Sequence, residues 1–223
     1  MDIYLEIGNK RVFAATLDWP GWSRSGRDEA GALRALLACG PRYALALRDS
    51  GLEFKPPTRG SAFSVVERLP GSATTDFGAP EAIPDYDRRP SRDDDLGRQG
   101  AILAACWRAL DRAIGGAVGI TLRKGPRSGG RELEEISRHV LGAERGYLGR
   151  LAWKAPGETD NLNEDMRRTR QAIMDALLAA AENGLPERGP RGGVIWPPRY
   201  FVRRVAWHAL DHTWEIEDRA SLY

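Results

Sequence analysis

Cysteine is scarce in this chain. Two residues in 223, Cys39 and Cys106, cannot build a disulfide framework, and they lack metal-finger spacing. Long apolar runs are also missing. The longest, Ala101 to Trp107, falls far short of the roughly 20 residues that a membrane-spanning helix needs. A charged content of 29 % and a mean hydropathy of −0.46 agree with a non-membrane protein. No charged-then-apolar stretch opens the chain, so no signal peptide is expected and the reading is cytoplasmic. Neither sign of charge dominates: 33 basic against 31 acidic residues leave a net +2, which argues against a dedicated nucleic-acid binder. No glycine-rich phosphate loop joins a strand to a helix, since Gly115-Gly116 and Gly125 to Gly130 read as connectors. No internal repeat is visible.

What is present changes character along the chain. Residues 1–75 read as a small α/β unit. Ile3, Leu5 and Ile7 alternate, Gly8-Asn9-Lys10 supplies a turn, and Val12, Phe13 and Ala15 resume the pattern, which predicts a hairpin. Trp19-Pro20-Gly21-Trp22 breaks the strand. A helix follows with Asp28 and Glu29 in its first turn and Leu33, Leu36 and Leu37 as its buried stripe; Gly40-Pro41 is expected to stop it. Tyr43 to Arg48 reads as a second short helix, and Ala62 to Leu69 as a further strand. Residues 76–92, with Pro80, Pro84 and Pro90 and the charges from Arg88-Arg89 onward, have linker composition, although Phe77, Ile83 and Tyr86 offer anchors to a neighbouring surface.

From residue 93 to 223 the period becomes helical four times over. The stripes are Leu103, Trp107, Leu110 and Ile114; then Leu133, Ile136, Val140, Ala143 and Tyr147; then Met166, Ile173, Leu177 and Ala180; then Phe201, Val205, His208 and His212. Asn161 is a good cap for the third, which Asn183-Gly184 closes, and Pro197-Pro198 opens the fourth. The expected architecture is an α+β N-terminal unit, a small sheet with a helix, followed by an all-α unit forming an up-down four-helix bundle.

All three histidines fall in the helical half. His208 and His212 lie at i and i+4 on the apolar face of the fourth helix, and His139, three after Ile136, faces inward from the second. Three imidazoles with an open position suit zinc, nickel or iron. Against this stands the reading in which each is a core histidine bonded to a carbonyl or carboxylate. The stretch His208-Ala209-Leu210-Asp211-His212 has alanine where a zinc protease carries its general-base glutamate, so that reading fails.

The segments RELEEISRHVLGAERGYLGRL (Arg131 to Leu151) and RRVAWHALDHTWEIEDR (Arg203 to Arg219) resemble the DinB-like superfamily over roughly residues 92–223. The resemblance implies a four-helix bundle with one histidine on the second helix and a His-x-x-x-His pair on the fourth. It makes His139, His208 and His212 the ligands of a divalent metal. It also implies metal-dependent hydrolases, or transferases and isomerases that use a low-molecular-weight thiol, and homodimers. In the N-terminal part, Phe13-Ala14-Ala15, Asp18 to Trp22 and the helix from Arg27 resemble the strand–Pro-Gly–helix pattern of HicB-like antitoxin domains, which implies a partner-binding α/β module.

Chemistry at such a site needs a group that manages protons. Glu135, one turn before His139, and Glu215, three after His212, are the candidates, or else orient an imidazole. Asp211 points to a different face. Arg203 and Arg204 are placed to hold an anionic substrate or thiol carboxylate, or are a solvated face, and Arg167, Arg168 and Arg170 read the same way. Trp207 and Trp214 flank the histidine pair as pocket walls or as packing, and Cys106 beside Trp107 reads as core. Two functions follow: a metal-dependent transferase or hydrolase acting on a small molecule, or a binding or regulatory protein whose α/β module recruits a partner and whose metal site is structural or vestigial.

Overall fold

The computed structural model describes residues 1–90, 93–124, 130–189 and 192–220. Four strands come early: β1 (Asp2–Ile7), β2 (Val12–Thr16), β3 (Ser23–Gly26) and, after helix α1 (Glu29–Ala46), β4 (Ser64–Pro70). Their order in the sheet is β3-β2-β1-β4. The predicted hairpin forms, with Ile3 opposite Thr16 and Ile7 opposite Val12. β4 lies parallel to β1, because the crossover through α1 returns the chain to the same end of the sheet. The sheet is covered on both faces. Ile3, Leu5, Val12 and Ala14 face the main core, while Tyr4, Ala15 and Leu17 pack with Leu69 and Tyr86 on the other side.

The proline in α1 is where local reading and structure part. Gly40-Pro41 does not stop the helix, and no separate helix starts at Tyr43; one helix runs from Glu29 to Ala46 with Pro41 inside it. The buried positions Ala32, Leu36, Cys39, Tyr43 and Ala46 keep a 4, 3, 4, 3 spacing straight through the proline. Burial of the last two, with the Tyr43 hydroxyl donating to the Pro20 carbonyl at 2.9 Å, offsets the hydrogen bond that proline cannot make. Asp28 is the cap itself, accepting from the Gly31 amide at 2.6 Å.

Helices α2 (Ala73–Phe77), α3 (Asp93–Ala117), α4 (Leu133–Leu148), α5 (Leu162–Asn183) and α6 (Pro198–Ala220) follow. α3 lies along α6, and α4 packs against both α5 and α6. Asn161 caps α5, accepting from the Glu164 amide at 3.0 Å, and Gly184 ends it at a φ of 74°. Among the described residues no helix is long and apolar enough to cross a membrane.

A single apolar core joins Ile3, Trp22, Leu36 and Tyr43 to Ile102, Phe201, Ala206 and Trp214. The Trp19-Pro20-Gly21-Trp22 turn meets α6 closely: a Cβ on Gly21, at φ +91°, would lie 3.0 Å from Leu210 and 3.1 Å from Ala206. The proline-rich stretch before α3 straps across α6. The Arg203 guanidinium donates two hydrogen bonds to the buried Asp87 carboxylate, at 2.6 and 2.8 Å, and a third to the Leu17 carbonyl at 2.9 Å. Tyr200 donates to the Glu81 carbonyl at 2.9 Å. Glu6, fully buried on β1, accepts from the Glu81 and Ala82 amides of the same strap at 2.9–3.0 Å.

Candidate metal centre

α4 and α6 bring the three histidines to one point. One nitrogen from each of His139, His208 and His212 lies within 4.8 Å of the others. The Nε2 atoms of His139 and His208 are 3.2 Å apart. Two nitrogens at about 2.05 Å from a tetrahedral zinc ion lie roughly 3.3 Å apart, so the separation fits a shared cation. The rings of His208 and His212, one turn apart, have centroids 4.6 Å apart, and His139 sits 5.1 and 5.0 Å from them.

The electrostatics favour neutral imidazoles, the form that coordinates. Burial pushes His208 well below the usual histidine range, and the neighbouring His212 and His139 and the charges of Arg204 and Arg131 push it further. His139 is lowered too, by burial first and then by His212 and Arg131, against a pull upward from Glu215. His208 and His212 are 6 % and 8 % exposed, while His139 is half-buried, so the cluster meets solvent on the His139 side. Nδ1 of His208, the ring nitrogen opposite the Nε2 that meets His139, is buried with no hydrogen-bond partner among the described residues, which a coordinating and a core histidine leave equally unexplained.

His212 is held differently. Its Nδ1 lies 2.7 Å from a Glu215 carboxylate oxygen, which fixes the proton on Nδ1 and turns the Nε2 lone pair toward the cluster. The bond to His212 is the main reason the Glu215 carboxyl sits below its ordinary range. The other Glu215 oxygen accepts from Arg219 at 2.9 Å, and Arg219 in turn donates to the carbonyls of Arg123 and Arg131. Gly130 leaves the room this requires: a Cβ there would come within 2.6 Å of the Arg219 guanidinium.

The other candidates separate clearly. Glu135 is exposed and accepts from the Glu132 amide at 2.9 Å as part of a capping box at the start of α4. Asp211 faces Arg24, 3.5 Å away. Arg167 pairs with Glu164 and Arg170 with Asp111. Burial pushes the Cys106 thiol up to about 12, which suits packing and not nucleophilic attack. Trp214 is packed beneath the Arg24 guanidinium, 3.7 Å from its ring centroid, whereas Trp207 lies 6.0 Å from the His208 ring with Phe13 of β2 edge-on behind it at 6.4 Å. Spacing had not placed Tyr147, two turns after His139, as a wall of this site. Its ring stands 6.0 Å from His208, with Trp196 another 5.3 Å away.

A cavity of about 750 Å³ opens elsewhere, between α3, α4 and α5, lined by Trp107, Ile114, Leu133, Met166 and Arg170 and by none of the histidines. Its size suits a small molecule. The histidine cluster holds the coordinating chemistry, so the cluster and not the cavity is the candidate centre. Comparison with protein-family models, with curated proteins and with solved structures finds no match to this chain.

Proposed function

We propose that the chain is a metal-dependent enzyme acting on a small molecule, holding one divalent ion through His139, His208 and His212. The observation that carries the proposal is the convergence of three ligand nitrogens within 4.8 Å, two of them on a helix that also supplies the orienting carboxylate Glu215. Zinc is the first choice for a tri-imidazole set, with nickel and iron behind it. The helices α3 to α6 then form an up-down bundle of DinB-like type, in keeping with the sequence resemblance. Bound there, a divalent ion would supply Lewis acidity and lower the pKa of a water or thiol brought to it. That chemistry suits hydrolysis or transfer to a low-molecular-weight thiol. The chain's own residues exclude water from the inner face of the site and keep His212 in one tautomer.

A second reading draws support from Glu215. Both of its oxygens are engaged, one by His212 and one by Arg219, so it orients a ligand and is poorly placed to move protons. A metal held without turnover, in a protein whose α/β part recruits a partner, accommodates that arrangement.

The experiment is metal analysis and melting of untagged protein, with and without chelator, for the parent and for His139→Ala, His208→Ala and His212→Ala. One equivalent of metal is expected in the parent. Each variant loses one of three ligands, so each should lose metal and the chelator-sensitive part of its melting temperature to a similar extent. A parent indifferent to chelator and free of metal would return the histidines to the core. Turnover in metal-loaded protein then separates the enzyme from the second reading.

A further inference from the structure

The four arginines of α6 do not share one role. Arg199 pairs with Asp95, Arg203 with Asp87 and Arg219 with Glu215. Arg204 is the exception: among the described residues no carboxylate lies within ion-pair distance of it. It is half-buried, and it donates a hydrogen bond to the Pro80 carbonyl of the strap. Its guanidinium lies 4.7 Å from the Trp207 ring centroid and 5.9 Å from that of Tyr147, the two aromatic rings that also flank His208. Arg204 precedes His208 by one helical turn, so both project from the same side of α6. A long cation laid on two rings, with its counter-ion missing, is a binding arrangement: the rings fix the plane and the remaining donors stay available.

The charges around the cluster point the same way. Among the described residues Glu215 is the one carboxylate bonded to a histidine of the cluster, and Arg219 pairs with it. Asp211 is turned toward Arg24. Among the described residues neither Arg131 nor Arg204 has an ion-pair partner, both charges act on His208, and a divalent ion would add to that positive field.

We infer that Arg204 anchors an anionic group, a carboxylate or a phosphate, on the small molecule that binds beside His139, His208 and His212. The guanidinium takes two acceptor oxygens side by side, and the body of the ligand lies against Tyr147 and Trp207. The strap and β2 thereby enter the site without touching the ligand, Pro80 by holding Arg204 and Phe13 by backing Trp207. This placement gives the N-terminal α/β part a role in recognition. The inference deepens the metal reading but stands on Arg204 and the two rings, so the two are tested apart.

Full-length protein is loaded with Co²⁺ and titrated calorimetrically with benzoate, with inorganic phosphate and with neutral benzamide; the titrations are repeated on chelated protein. Benzoate or phosphate is expected to bind and benzamide to fail, the better anion telling carboxylate from phosphate. Arg204→Gln should weaken anion binding by about 10-fold or more, as loss of a charged hydrogen-bonding partner does, with Co²⁺ still bound. Arg34→Gln, which removes an exposed arginine on α1, should change nothing. Should Arg204→Gln unfold, Arg204→Lys carries the test: it keeps the charge but not the planar fork, and a several-fold weakening is expected. Anion binding unchanged in these variants, equal binding of benzamide, or no binding of either anion overturns the inference. Failure to hold Co²⁺ overturns the metal reading instead, and the titrations on chelated protein then decide the anion anchor.

Discussion

Glu144 shows how strongly a single buried residue can bind stability to pH. It is 1 % exposed on α4; one carboxyl oxygen accepts from the Trp107 indole at 2.8 Å, and the other has no hydrogen-bond partner among the described residues. Burial raises its pKa to about 7, against a pull downward from Arg170. Because the folded chain holds this proton more tightly than the unfolded one, stability falls as pH rises from about 4.5 to about 7, and the deficit is complete above that. At about 1.4 kcal/mol per pKa unit, the loss is of the order of 3 kcal/mol. Glu144→Gln keeps an acceptor for Trp107 and removes the charge. Its melting temperature should exceed the parent's at pH 8 by more than it does at pH 5. An equal difference at both pH values would assign the effect to packing and not to ionisation.

At the scale of elements, α1 tests how far a packed face overrides a helix breaker. Pro41→Ala restores an amide donor and relieves the clash with the preceding turn, so it should stabilise by about 1 kcal/mol or more. Gly40→Ala should act in the opposite direction, although alanine is the better helix former. Its Cβ would lie 3.0 Å from Pro56 and 3.4 Å from Trp22, where the indole is locked by its bond to the Leu36 carbonyl. Urea denaturation of the two variants should therefore give shifts of opposite sign. Two gains would mean that the face against Pro56 is loosely packed.

At the scale of the molecule, the strap decides how the sheet and the long helices hold together. Asp87→Asn leaves Arg203 buried beside a neutral amide, and removing one member of a buried pair costs about 3–5 kcal/mol. The urea midpoint should fall accordingly while the helical circular dichroism of the folded form is kept. Residues 93–220 expressed alone would uncover Ala206, Leu210 and Trp214, which pack with Trp22, Leu36 and Tyr43 in the full chain. That piece should melt at a lower temperature than the full chain and bind a hydrophobic dye. Equal stability would make the common core unimportant.

Much of this was written locally. The i, i+4 placement of His208 and His212, the inward turn of His139, the Asn161 cap and the four helical stripes depend on residues within a turn or two of one another, so periodicity alone reveals them. Glu215 was within reach of His212 by the same arithmetic. Glu135 had equally good spacing relative to His139, but the Glu132 amide at the helix start claimed its carboxylate. Arg203 and Arg204 are adjacent, and nothing in their order says which turns toward Asp87 and which toward Trp207. The persistence of α1 through Pro41 was equally hidden, since the burial that sustains it comes from Pro20 and the sheet. The meeting of His139 with His208 spans 69 positions and that of Asp87 with Arg203 spans 116. Contacts of that separation exist only once α4, α6 and the strap are packed, so the tertiary structure, and not the sequence pattern, decided which polar groups share a site.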